Sequence, residues 1–220
     1  MKRFLPTFLL ITLALAIYPF LGREEKPVGV AGLPWQIQLL PDGSTKVFGV
    51  VPGATTLGQA VARLGDDMEM AIMAAAGETG SLEMYYSQHR AGLLTAKLIL
   101  AADIDGETLT AMRENAASKE VLKSGGTKYV LRRQDHEKAM DAVIHSIAYI
   151  PTTNLDHETI VNRFGEPAET VTTNEQTTHY LYPTKGLDVV LSEEGKEVLQ
   201  YVAPVEFERL REPLELQAAE

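Results

Sequence analysis

The chain has 220 residues, which is enough for one or two small domains with a sizeable hydrophobic core. Its formal net charge of −10 argues against a nucleic-acid partner, because nucleic-acid binding requires a basic face. The sequence contains no cysteine, so disulfides, thiolate metal sites and a thiol nucleophile are all excluded.

Residues 1–22 have the pattern of a membrane anchor. Met1-Lys2-Arg3 is basic, and residues 4–21 are mostly apolar and just long enough to cross a bilayer as a helix. The positive-inside rule predicts a single-pass protein of the inner membrane, with the bulk of the chain on the periplasmic side. The alternative is a secretory signal cleaved after Ala16. The charged residues that follow predict a linker over residues 23–32.

Residues 33–124 are predicted to form a first α+β unit. Two strands, 35–40 and 45–50, flank a Pro-Asp-Gly-Ser turn and form a hairpin. Thr55 and Thr56 cap a helix over residues 57–64, and three strands follow it, at 68–74, 82–86 and 93–101. A helix is predicted over residues 107–123. We expect the single tryptophan, Trp35, to lie in the core, although a partner-binding role is the alternative.

Residues 125–204 are predicted to form a second α+β unit. It begins with a brief strand at 129–131 and a helix at 135–146. A second helix is capped by Asn154 or Asp156 and ends at Gly165, because Pro167 prevents its continuation. Four strands then form an antiparallel meander, at 168–173, 177–182, 187–191 and 198–202. Residues 205–220 are predicted to form an acidic tail with a surface helix.

Parts of the two predicted units repeat each other. Val-Ala-Arg-Leu-Gly-Asp-Asp at 61–67 parallels Val-Asn-Arg-Phe-Gly-Glu-Pro at 161–167, and Gly92-Leu93 parallels Gly186-Leu187. This pattern favours an internal duplication, with chance similarity as the alternative. The predicted fold is therefore α+β, with an N-terminal membrane helix followed by two helix-plus-antiparallel-sheet units.

Residues 161–202 carry a resemblance to a known family. Five segments follow one another here: Arg-Phe-Gly-Glu-Pro, a polar strand, Tyr-Leu-Tyr, Gly-Leu-Asp-Val-Val-Leu and Glu-Gly-Lys-Glu-Val. This succession resembles the periplasmic domain of the outer-membrane β-barrel assembly lipoprotein, the SmpA/OmlA (BamE-like) type. That domain shares its shape with the β-lactamase-inhibitor-protein repeat. The resemblance implies a role in the cell envelope. The lipid-bearing cysteine of that family has no counterpart here, so no family residue is assigned as a functional site.

The residues that usually carry chemistry form no recognisable motif. The five histidines lack the His-x-x-x-His and Glu-x-x-His spacings of metal sites, and the two groups densest in possible ligands, His136-Glu137 and Asp156-His157-Glu158, are interpreted as solvated helix starts. No nucleophile elbow, phosphate loop or dinucleotide fingerprint is present. We therefore predict no catalytic, cofactor-binding or metal-binding residue and no cofactor.

One apolar group has two interpretations. Met68, Met70, Met73 and Met84, together with Tyr85 and Tyr86, can form an adaptable binding surface or a core-facing part of a sheet. The alternation of Met68 and Met70 favours the core interpretation.

These observations predict a membrane-anchored envelope protein that is not an enzyme and acts as a protein-binding or structural module. Its expected partner is another envelope protein, bound through a sheet face or edge. The alternative is an envelope enzyme or small-ligand sensor with a site between the two units.

Overall fold

The computed structural model describes residues 32–218, apart from residues 124 and 175, and it describes side chains as far as residue 214. The predicted membrane anchor at residues 1–22 and nearly all of the predicted linker lie outside the described residues. The described part forms one compact unit.

Ten strands form one antiparallel sheet. A separate two-stranded ribbon, β1 (Gln38–Leu39) with β2 (Thr45–Lys46), precedes it. The sheet contains β3 Glu69–Ala74, β4 Ser81–Ala91, β5 Leu94–Asp103, β6 Ser118–Val121, β7 Thr127–Val130, β8 Val143–Pro151, β9 Glu169–Asn174, β10 Thr177–Tyr182, β11 Leu187–Ser192 and β12 Val198–Val202. Their order across the sheet is β6-β7-β3-β4-β5-β8-β12-β11-β10-β9.

The described residues also include five α-helices. These are α1 Leu57–Leu64, α2 Gly106–Glu114, α3 Arg133–Ala139, α4 His157–Phe164 and α5 Glu208–Ala218. Short 3-10 turns lie at Pro183–Lys185 and Pro204–Glu206. The predicted α+β class is confirmed.

Helices α1 and α4 begin and end as their sequences predict. The Thr56 hydroxyl accepts a hydrogen bond from the Gln59 backbone N–H, and the Gln59 side chain accepts one from the Thr56 N–H, which completes a capping box. At α4 the Asp156 carboxylate accepts from the Thr159 N–H at 2.7 Å. Each helix ends at a glycine with positive φ, 96° at Gly65 and 82° at Gly165, with an extended ψ.

One face of the sheet and helices α1–α4 enclose the main hydrophobic core. Alternate residues along each strand point to this face, as the pleat requires. Leu98 and Leu100 of β5, together with Ile147 and Tyr149 of β8, are at most 1% exposed there. The helices contribute Leu57, Ala60, Leu109, Met112, Ala139, Ile160 and Phe164 to the same cluster.

Helix α5 covers part of the opposite face. Phe207, which immediately precedes α5, and Leu214 within it are buried against Leu181 of β10 and Val202 of β12. Leu210 and Val171 pack against this second cluster. The predicted surface helix in the tail therefore forms, and its apolar side lies on the strands β9–β12.

Two predicted helices are shorter than expected. The helix predicted over 107–123 ends at Glu114, and residues 118–121 form β6 instead. The helix predicted over 135–146 is wrong beyond Ala139, because residues 143–151 form β8, a central strand that pairs with β5 and β12. The branched residues of β8 suit a strand with neighbours on both sides, and this pairing outweighs local helical spacing.

The sheet is continuous across the two predicted units. The predicted boundary lies between β6 and β7 in the chain, and these two strands pair with each other. Strand β8 joins β5 to β12 in the middle of the sheet.

The first predicted hairpin forms with shorter strands than expected. Only Gln38–Leu39 and Thr45–Lys46 are strands there. Trp35 is partly buried and packs against the main core, as expected.

Candidate functional site

The face of β3–β5 that points away from α1–α4 is the candidate functional site. We define this open face by six side chains, two from each strand: Ala71, Met73, Glu83, Tyr85, Lys97 and Ile99. Strand register places these side chains beside one another, because Ala71 pairs with Glu83 and Tyr85 pairs with Ile99. They alternate with core residues such as Met84 and Leu98, so the sheet itself separates the open face from the core.

The open face forms a groove of about 450 Å³. Leu122 and Lys128, from the β6–β7 hairpin, and Glu69 of β3 complete its lining. Within the described part of the chain, no residue of a helix lines this groove. Met73, Tyr85 and Ile99 are partly exposed on its floor, so a mainly apolar surface faces solvent.

Charged groups of both signs surround this apolar floor. The Lys128 ammonium lies 2.6 Å from the Glu69 carboxylate across the β3–β7 pair. The Ser81 hydroxyl donates a hydrogen bond of 2.8 Å to Glu83. Burial raises the pKa of the Glu83 carboxyl, and this hydrogen bond partly opposes the shift. The open face thus offers apolar contact together with a fixed arrangement of acids and bases.

The other half of this sheet face carries a buried His–Asp pair. His179 Nδ1 of β10 lies 2.8 Å from Asp188 Oδ2 of β11, and the two residues are 7% and 1% exposed. Burial raises the pKa of the Asp188 carboxyl, and the hydrogen bond from His179 opposes that shift. The low exposure of both side chains gives a substrate no access, so the pair is not a candidate catalytic site.

The remaining histidines do not assemble into a site. Within residues 32–218, no group of three or more His, Asp or Glu side chains is placed to hold a metal ion. His157 is exposed at the start of α4, where Nδ1 lies 3.2 Å from the Tyr180 hydroxyl. His89 packs edge-on against Phe48 with ring centroids 5.4 Å apart.

The methionine and tyrosine group divides between the two faces. Met70, Met84 and Tyr86 are buried in the main core, as the alternation predicted. For Met73 and Tyr85 the favoured core interpretation is wrong, because both belong to the open face. Lys97 and Ile99 were not predicted as site residues, and they alternate with Leu98 and Leu100 along β5. That alternation was visible in the sequence, but it does not show which face a helix covers.

No protein-family model, no curated protein and no solved structure matches this chain. The helices found between residues 32 and 218 are all too short or too polar to cross a membrane.

Proposed function

We propose that this chain is an envelope protein, not an enzyme, that binds another protein through the open face. The proposal rests on the observation that a helix covers one half of this sheet face and leaves the other half open. Helix α5 buries Leu181 and Val202 on one half of that face, whereas none of the helices between residues 32 and 218 lines the groove over β3–β5. A partly exposed apolar surface of this kind, bordered by polar groups, is typical of protein-binding sites.

The composition of the open face fits a protein partner. Tyrosine and methionine are enriched where proteins meet, and tyrosine is frequent among the residues that dominate binding energy. Tyr85 and Met73 supply such groups, and Ile99 extends the apolar floor between them and Lys97. The partner is expected to insert an apolar side chain into the groove and to place opposite charges near Lys97 and Glu83.

The chain is further proposed to contain two related units, α1 with β3–β5 and α4 with β9–β11. Both have the same order of a short helix, a terminal glycine and antiparallel strands. Gly92 and Gly186, which precede β5 and β11, have nearly equal positive φ angles of 63° and 61°. This correspondence and the resemblance to the SmpA/OmlA-type domain support an envelope role.

The proposed location is the inner membrane, with residues 1–22 as a single anchor and the remaining chain in the periplasm. The basic start and the apolar stretch after it support this orientation. Protease added to spheroplasts is expected to digest the chain while a cytoplasmic marker survives. Protection of the chain in intact spheroplasts, or its release from membranes by alkaline carbonate, would contradict this topology.

The binding proposal is tested by affinity capture after chemical crosslinking of whole cells. Three full-length chains are compared: wild type, Ile99→Asp and Asn162→Asp. Ile99→Asp puts a charge on the floor of the open face. Asn162→Asp adds the same charge on the exposed side of α4, beyond the opposite face of the sheet.

A partner of the open face should be captured by wild type and by Asn162→Asp and should be lost with Ile99→Asp. Circular dichroism and thermal unfolding verify that both variants remain folded. Equal capture by all three chains would show that binding uses another surface. Absence of any specific partner would contradict the proposed function.

A further inference from the structure

The hairpin formed by β4 and β5 carries the most exposed large apolar side chain among the described residues. Leu93 lies at the tip of this hairpin, directly before β5, and is 101% exposed. The pairing between β3 and β4 stops at Tyr85, so the remainder of β4 projects beyond its neighbour on that side. The tip therefore presents a leucine to whatever surface lies beyond this end of the sheet.

The described chain begins at the same end of the sheet as the hairpin tip. Pro34 and Leu94, the first residue of β5, line the same small cavity. The Tyr201 hydroxyl donates a hydrogen bond of 2.9 Å to the Pro34 carbonyl oxygen and holds this segment in place. The linker between the proposed anchor, residues 1–22, and residue 32 can span at most about 35 Å. The proposed anchor therefore keeps this end of the sheet near the bilayer.

The charge of the hairpin suits a lipid surface. The whole chain contains 30 acidic residues and has a net charge of −10. Residues 84–102 include none of these acids, but they include Arg90 and Lys97, which are both exposed. Cationic side chains near a membrane are attracted to anionic lipids. Glu193 and Glu194 also lie at this end of the sheet, but they belong to the β11–β12 turn, beyond β8 and β12.

We propose that Leu93 inserts into the surface of the bilayer that holds the anchor, with Arg90 at the lipid headgroups. This inference rests on the proposed membrane location. A single leucine binds a bilayer weakly, but a covalent anchor makes the contact intramolecular and raises its effective concentration. Strand β5 then rises from the bilayer, and Ile99 of the open face lies at most about 20 Å from Leu93 along it. A partner of the open face is thus expected to lie close to the membrane.

The test places a fluorescent label at the hairpin tip. The chain has no cysteine, so Leu93→Cys and Val205→Cys each supply one thiol for an environment-sensitive dye. Val205 is the matched control, because it is 89% exposed and follows Val202 of β12, which pairs with β8 near the opposite end of the sheet. Each labelled full-length chain is reconstituted into vesicles of phosphatidylcholine and phosphatidylglycerol. Spin-labelled lipid should quench the dye at position 93 several-fold more than the dye at position 205, and aqueous iodide should show the reverse order.

A change of charge beside the tip tests the contact of Arg90 with the headgroups. Arg90→Glu, combined with the label at position 93, should lower quenching by spin-labelled lipid roughly twofold, because phosphatidylglycerol repels a carboxylate. Arg209→Glu makes the same change at an exposed position near the start of α5, at the opposite end of the sheet, and should leave that quenching unchanged. Equal quenching in the two variants would overturn the contact assigned to Arg90.

Flotation of the same vesicles separates this inference from the proposed location. A chain that floats with the vesicles, but whose dye at position 93 is quenched by lipid no more than the dye at position 205, would retain the anchor and overturn the hairpin contact. Protection of position 93 from iodide without quenching by lipid would show that protein covers the tip, which also overturns it. A chain that does not float would contradict the proposed anchor and, with it, this inference.

Discussion

Tyr86 and Tyr182 form the same hydrogen bond in two places. Tyr86 Oη donates to the carbonyl oxygen of Gly65 at 2.9 Å, and Tyr182 Oη donates to that of Gly165 at 2.9 Å. Each glycine ends a helix, and each tyrosine lies in the second strand after that helix. The two hydroxyls therefore attach α1 and α4 to the sheet by equivalent contacts, which supports the proposed relation between the two units.

Removing either hydroxyl should weaken the fold by a similar amount. Tyr86→Phe and Tyr182→Phe are each expected to lower the free energy of unfolding by about 1 kcal/mol, because each leaves a helix-terminal carbonyl without its donor. Urea unfolding measures the change. Tyr85→Phe is the matched control, since its side chain lies on the open face. A clear loss in only one of the two variants would argue against equivalent roles.

The same two tyrosines should contribute to unfolding at alkaline pH. Burial raises the pKa of Tyr86 to about 12, and the charge of Asp66 adds to the shift. Burial likewise raises the pKa of Tyr182 to about 12, with further contributions from Glu166 and Tyr180. The unfolded value is near 10, so the folded chain favours the neutral phenols. Their contribution is fully present below about pH 10 and is lost as the pH rises from about 10 to about 12.

The measurement for this prediction is the unfolding free energy of wild type and of the Tyr86→Phe/Tyr182→Phe double variant across that range. The wild type should lose more stability than the double variant between about pH 10 and 12. Parallel pH profiles would show that neither phenol resists ionisation in the folded chain.

Gly186 should tolerate no side chain. Its φ of 61° is left-handed, and a Cβ atom there would overlap the carbonyl oxygen of Val202. Gly186→Ala is therefore expected to cost more than about 2 kcal/mol, since backbone displacement adds to left-handed strain of about 1–2 kcal/mol. Gly77→Ala is the control, because Gly77 also has positive φ, 84°, but has open space around it. Equal losses of thermal stability in the two variants would contradict a steric role for the Val202 carbonyl.

His179 and Asp188 should be strongly coupled in stability. Replacing His179 by Leu leaves the buried Asp188 carboxyl without its partner and is expected to cost about 3–5 kcal/mol. The single variants His179→Leu and Asp188→Leu each leave one partner of the pair. The double variant His179→Leu/Asp188→Leu should have a higher free energy of unfolding than whichever single variant is less stable. A double-mutant cycle from urea unfolding measures the coupling, and additive effects would show that the contact contributes little.

The sequence predicted elements whose signals are local. Helix α4 follows from the Asp156 cap and the terminal Gly165, and the strand bounds at 177–182 and 198–202 agree with the structure. The predictions fail where pairing with distant strands decides the outcome. Residues 118–121 and 143–146 were predicted as helical, yet they pair with β7 and β5 in the sheet.

The candidate site was only partly predictable for a similar reason. Tyr85 and Met73 were singled out by their residue types, but the favoured core interpretation is wrong for both. Tyr85 lies between the buried Met84 and Tyr86, and Met73 lies between the buried Ile72 and Ala74, so both point away from the core. Which half of that face stays open depends on α5, whose contacts with Leu181 and Val202 involve residues far apart in the chain. The Tyr201–Pro34 hydrogen bond, next to Trp35, joins residues 167 positions apart and has no local sequence signal.

The most direct test of binding through the open face is site-specific photocrosslinking in living cells. A photoreactive amino acid replaces Tyr85 on the open face or Asn162 on α4, in otherwise identical full-length chains. We expect a discrete crosslinked protein from position 85 and none from position 162. The same products from both positions, or no product from position 85, would contradict it.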